Sequence, residues 1–163
     1  MVKIPYRDPS KGSPVKIKHI NCSKNVEGWL MGTPELRITI CGVDKDRKTT
    51  EIKSIYIDMN KYDQNFDLWL LDWKPDSWYQ IYTFHVVEED PGNDKTINIS
   101  AKLAYKKELA EGLTLDAEAT YAKGFRFSHP ENIGPADLHY YDPINTILKF
   151  SNDGYWCDIT FGQ

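Results

Sequence analysis

The run Trp78-Tyr-Gln-Ile-Tyr-Thr-Phe-His-Val-Val-Glu-Glu-Asp-Pro-Gly-Asn-Asp94 sets the reading of this chain. Apart from Gln80 and His85, its first ten residues are aromatic, β-branched or otherwise apolar on both alternating sets of positions, the pattern of a strand covered on both faces. It then breaks into four acids, Glu88, Glu89, Asp90 and Asp94, around Pro91-Gly92. The expected element is a central strand that empties into an acidic loop at the rim of a sheet.

Working outward, the same period of two recurs. Toward the N-terminus, Val15, Ile17 and His19 alternate with Lys16, Lys18 and Ile20, and Leu36 to Ile40 and Glu51 to Asp58 show the same period with Ile55 and Ile57 inward, each read as a strand. Gly42-Val-Asp-Lys-Asp-Arg-Lys48 reads as a polar hairpin turn. Asn60 to Asp76 shows no clean period and reads as an apolar connection lying against the sheet, with Trp69, Trp73 and Trp78 capping the core. Toward the C-terminus, Ile97, Ile99, Ala101, Leu103 and Tyr105 share one face, and Leu113, Leu115, Ala117, Ala119 and Tyr121 repeat the pattern. With Gly112 between them they predict a long hairpin near residues 96–122; Lys106 to Glu111, made of good helix formers, offers a helical turn as the competing reading. Pro130, Gly134, Pro135 and Pro143 make 124–146 read as loop. Ile147 to Phe150, the turn Asn152-Asp-Gly154 and the alternation of Tyr155 to Phe161 close the chain as a last hairpin. The prediction is an all-β fold: an antiparallel β-sandwich of about eight strands. Residues 1–14 read as an N-terminal tail and 15–163 as one domain.

Composition bounds the function. The chain has 163 residues with five Trp, ten Tyr and six Phe, and a formal charge of −4. An acidic balance argues against a general nucleic-acid binder. No apolar run approaches the roughly 18 residues of a membrane helix. Met1-Val-Lys-Ile-Pro-Tyr-Arg-Asp8 lacks the apolar core of a signal peptide. That makes the cytoplasm the default expectation, and secretion or the cell envelope the expectation for a chain whose leader has been removed. Cys22, Cys41 and Cys157 are odd in number and match no zinc spacing, so at most one internal disulfide can form; Cys41 and Cys157 lie in or beside apolar strand patterns and are expected to be buried thiols. No nucleophile elbow, zinc-protease helix motif or phosphate loop is present.

The order of features resembles the C2-type β-sandwich family. Gly32-Thr-Pro-Glu-Leu-Arg-Ile38 stands where that family has G-x-x-D-P-Y-x-x-[IV], and Asn65-Phe-Asp-Leu-Trp69 is similar to its N-P-x-W-x-E segment. Val86-Val-Glu-Glu-Asp90 resembles V-x-D-x-D, and Glu131-Asn-Ile-Gly134 resembles D-x-I-G. The resemblance spans most of 15–163 and implies a sandwich with a calcium site in its third loop. Thr33 replaces the family's aspartate before proline, and Glu88 replaces the first aspartate of that loop. Ile133-Gly134 and Asp94-Lys-Thr-Ile97 are both open as the loop's closure.

Two kinds of site follow. Glu88, Asp90 and Asp94, with Glu27 from the first loop and Glu131 from the long one, form the candidate oxygen set for Ca²⁺, a cation that takes about 6–8 oxygen ligands. Trp29 and Trp156 are the candidate ligand-binding aromatics, suited to a glycan face or a protein partner. Lys16, Lys18, Lys24, Lys45, Arg47 and Lys48 are a basic population that would meet anionic lipid if they shared a face. The expected function is a non-enzymatic binding module, calcium-assisted at the acidic rim. The alternatives are a small hydrolase or lyase on a sandwich and a C2-like lipid-binding domain.

Overall fold

The computed structural model describes residues 13–24, 32–43, 48–73, 81–110, 113–140 and 142–163, with only the backbone course given for 13, 103–110 and 113–119. Eight strands are present and no helix among the described residues: β1 Ser13–Cys22, β2 Glu35–Val43, β3 Thr49–Asp58, β4 Asp63–Trp73, β5 Ile81–Ala110, β6 Leu113–His139, β7 Ile147–Asn152 and β8 Tyr155–Gly162. They form two antiparallel four-stranded sheets, ordered β4-β1-β8-β7 and β3-β2-β5-β6. The all-β sandwich expected from the alternation is the fold observed.

The inner faces carry the main core. Val15, Ile17 and Ile20 of β1, Ile159 and Phe161 of β8, and Phe150 of β7 meet Leu36, Ile38 and Ile40 of β2 and Phe84 and Val86 of β5. The Phe84 and Phe161 rings lie 4.8 Å apart across the sheets. At one end Trp73, wholly buried, packs on Tyr82 at 4.5 Å and edge-on to Tyr140 at 5.3 Å. Such offset and edge-to-face aromatic contacts contribute beyond their buried area. The last hairpin turns at Asp153 and Gly154, whose φ values of 49° and 84° fit a type I′ turn at the asparagine-led signal.

Several expectations are corrected. Residues 63–73 are a full strand rather than an irregular connection. Phe66, Leu68 and Leu70 do alternate, but a register shift between Val15 and Lys16, opposite Leu71 and Trp69, changes the phase and brings Trp73 inward. Trp69 is left 48% exposed instead of capping the core. Trp78 lies outside the described residues. The stretch 124–139 is strand rather than loop. Pro130 and Pro135 sit opposite Glu89 and His85 on β6, the edge strand of its sheet, where a missing N–H breaks no second ladder. At 106–110 the backbone is strand, not a helical turn.

The acidic segment is also corrected. β5 does not end there. It runs through it, and β5 and β6 form one hairpin from Ile81 to His139. The ladder skips from Glu89↔Pro130 to Asp94↔Ser128, so residues 90–93 oppose His129 alone. This large bulge is a corner. Beyond it the distal hairpin folds back over the outer face of its own sheet. Ile99, Ala101, Phe125 and Phe127 pack on Cys41, Val43 and Val87 in a second core. Lys102 reaches Asp137 at 2.5 Å, and Thr49 donates to the Tyr121 carbonyl at 2.6 Å. Gly92 makes the corner sterically feasible: a Cβ there would sit 2.9 Å from the Cβ of His129, whose own φ is 31°.

Candidate functional site

The corner brings distant residues together. Glu35 and Asp58 are register partners at the ends of β2 and β3, and Arg37 pairs with Tyr56 two steps in. Against this end of the sheet lies the corner segment, Glu89 to Pro91, with Ser128. Together they line an open groove of about 430 Å³ whose walls include Leu36 and Ile57. Tyr56 is 71% exposed, because it points outward between the inward-leaning Ile55 and Ile57.

Arg37 holds the groove in shape. Its guanidinium stands over the Tyr56 ring at 5.3 Å and over the Phe127 ring at 4.8 Å. It also pairs with the Glu89 carboxylate at 3.5 Å and donates to the Arg126 carbonyl at 3.3 Å. Glu89 accepts from the Ser128 backbone N–H at 2.6 Å, and the Ser128 hydroxyl donates to the Asp90 carbonyl at 2.9 Å. Glu89 is therefore committed to structure. The carboxylates of Glu35, Asp58 and Asp90 make no ion pair or hydrogen bond among the described residues. The groove is thus acidic and partly apolar, and its lining includes one exposed aromatic ring, Tyr56. That chemistry suits a cation carried on an apolar stem, since an ammonium or guanidinium is attracted both by carboxylates and by an aromatic face.

The residues expected to share a metal are distributed over three places. Glu88 is wholly buried, paired in register with Leu36 on β2 and with Glu131 on β6, so the structure brings Glu88 and Glu131 side by side. Asp90 lies on the groove. Asp94 lies past the corner, where Arg126 donates to it at 3.2 Å. Glu27 and Trp29 lie outside the described residues. Among the described residues no group of three or more His, Cys, Asp or Glu side chains is arranged to hold a metal ion. Trp156 is 39% exposed on β8, and its backbone N–H bonds the Ser23 hydroxyl at 3.1 Å. Of the basic population, Lys16 and Lys18 both meet Asp67, at 3.5 and 2.7 Å, and Lys45 and Arg47 lie outside the described residues.

The histidines are similarly placed. His19 contacts Asp63 on the adjoining strand. His139 and Asp142 close a turn in which the His139 N–H donates to the Asp142 carboxylate at 2.8 Å. His85 is buried under the folded-back hairpin and its Nε2 meets Asn132 Oδ1 at 2.6 Å. Burial holds its pKa below the ordinary 6.5, with the Asn132 bond acting in the opposite direction.

Sequence reasoning singled out Asp90 and missed Tyr56, Glu35 and Asp58. The available signal was an outward tyrosine between the inward-leaning Ile55 and Ile57, followed by an acid, Asp58, that pairs with Glu35 at the same end of the β2–β3 pair. Compared with protein-family models, curated proteins and solved structures, the chain gives no match. The C2-type resemblance therefore rests on the quoted residues alone.

Proposed function

We propose that this protein is a non-enzymatic binding module and that its ligand is a lysine- or arginine-bearing segment of another protein, seated in the corner groove. The observation that supports this reading is Tyr56, exposed beside the carboxylates of Glu35, Asp58 and Asp90 around a concave site. An exposed tyrosine gives a flat contact at small entropic cost, and the acids select for positive charge. The groove is open, so a side chain enters while its backbone lies across the rim. The test is a binding panel: labelled Lys/Arg-rich peptides, Glu-rich peptides of equal length, and neutral oligosaccharides. Binding confined to the basic peptides, weakening with added salt, supports the reading. Binding confined to the oligosaccharides replaces it with a glycan-binding one.

A second reading draws on Glu88 facing Glu131. Two carboxylates side by side on adjacent strands attract a divalent cation, and in a C2-like sandwich Ca²⁺ held between them would brace the rim from which the corner springs. Calcium would then assist binding without touching the ligand.

A further inference from the structure

Cys22 and Cys157 are register partners on β1 and β8. The Cys22 N–H is donated away from β8, to the Tyr62 carbonyl at 2.8 Å, and the next rung is closed by Ser23 N–H to Trp156 carbonyl at 2.9 Å. A strand residue's N–H and C=O point to the same side. Cys22 and Cys157 are therefore a non-hydrogen-bonded pair, the type whose Cα atoms approach to about 4.5 Å and whose side chains are closest. That spacing lies within the about 4.4–6.8 Å range of disulfide-linked residues. The two Sγ atoms are 2.7 Å apart, and both residues are buried in the main core. Cys41 belongs to the second core, on the other face of the other sheet.

We propose that Cys22 and Cys157 are joined by a disulfide that ties β1 to β8, and that Cys41 stays a thiol. The reaction is exchange with a low-molecular-weight disulfide such as oxidised glutathione. One thiolate attacks it, forming a mixed disulfide and releasing one thiol. The second cysteine then displaces the other thiol. Two S–H bonds are lost, one S–S bond forms, and the co-reactant takes up both electrons and both protons. Attack requires thiolate and access. In the folded chain both are scarce: the hydrogen bond with Cys22 and burial raise the Cys157 pKa, and both sulfurs are covered. The bond therefore forms while the chain folds, and the native protein resists its reduction. Because it closes nearly the whole chain into a loop, it restricts the unfolded ensemble strongly.

The test is to refold the denatured full chain in a mixture of oxidised and reduced glutathione and, separately, in excess reductant. The oxidised sample should lose the mass of two hydrogen atoms. A non-reducing digest should give one cross-linked pair of peptides, carrying Cys22 and Cys157, and denaturant should expose one titratable thiol of the three. Its melting temperature should exceed that of the reduced sample by about 10 °C. Cys41→Ser should leave the cross-link and the melting shift unchanged. Three titratable thiols after oxidative refolding, or a cross-link that includes Cys41, overturns the proposal.

Discussion

The Glu89 carboxylate accepts a hydrogen bond from the Ser128 backbone N–H at 2.6 Å, and this contact joins the two strands across the corner of the β5–β6 hairpin. The ladder skips there, so no regular rung does the job. A carboxylate replaces it, and Arg37 secures that carboxylate from β2. The corner, the folded-back hairpin and the groove all depend on this arrangement.

Removing the charge should loosen the corner. Glu89→Gln should cost about 1.5–3 kcal/mol, the range for a hydrogen bond to a charged group. Gly92→Ala should add a steric conflict with His129 at the same place. Both are checked by urea unfolding together with hydrogen exchange. Protection should fall first in 95–102 and 120–127, while β1 and β8 keep theirs.

The main core gives a more conventional expectation. Trp73 is fully buried between Tyr82 and Tyr140, and Trp73→Ala should cost about 3–5 kcal/mol. Trp69→Ala, half exposed, should cost much less. Chemical denaturation of the two variants measures the difference directly.

Much of this core was legible from alternation alone. Ile17, Leu36, Ile38, Ile40, Phe84, Val86, Ile159 and Phe161 face inward as their spacing predicts. β4 was hidden by the bulge that shifts its phase, so Leu68-Trp-Leu-Leu71 looked like a continuous apolar run. The second half of β6 was hidden by prolines that an edge strand tolerates. The corner was misread as a terminal loop because Pro91-Gly92 ends most strands, and nothing local says that a ladder resumes at Asp94. The groove was harder still. Asp90 stood out in sequence, but Tyr56 and Asp58 reach it only through pairing of β3 with β2 and of β2 with β5.

His85 should make stability depend on pH. Its folded-state pKa lies below the ordinary 6.5, so the unfolded chain binds the proton more readily. Stability is thus fully present above about pH 6.5 and falls as the pH drops toward the lower folded value. Melting temperature should decline on acidification from about pH 7.5 to 5.5. His85→Gln should flatten the decline across that window. An unaltered slope in the variant would assign the effect to other groups.

Calcium addresses the second functional reading. A ligand bound only to the folded state raises the melting temperature by mass action. Millimolar Ca²⁺ should therefore raise it for the native chain and not for Glu88→Gln. Indifference to both Ca²⁺ and Mg²⁺ would leave Glu88 and Glu131 as a structural pair and remove calcium from the account.

The groove itself is tested most directly by the dissociation constant of a fluorescein-labelled Lys/Arg-rich peptide for the native chain and for Tyr56→Ala. Tyr56 is exposed, so its truncation leaves the fold essentially intact. A cation–aromatic contact of about 1.4 kcal/mol corresponds to a tenfold change in affinity. The expected result is measurable binding by the native chain, about tenfold weaker in Tyr56→Ala and weaker again when Asp90→Asn is added. Equal affinity in all three proteins, or no preference for the basic peptide over its Glu-rich counterpart, would contradict the account.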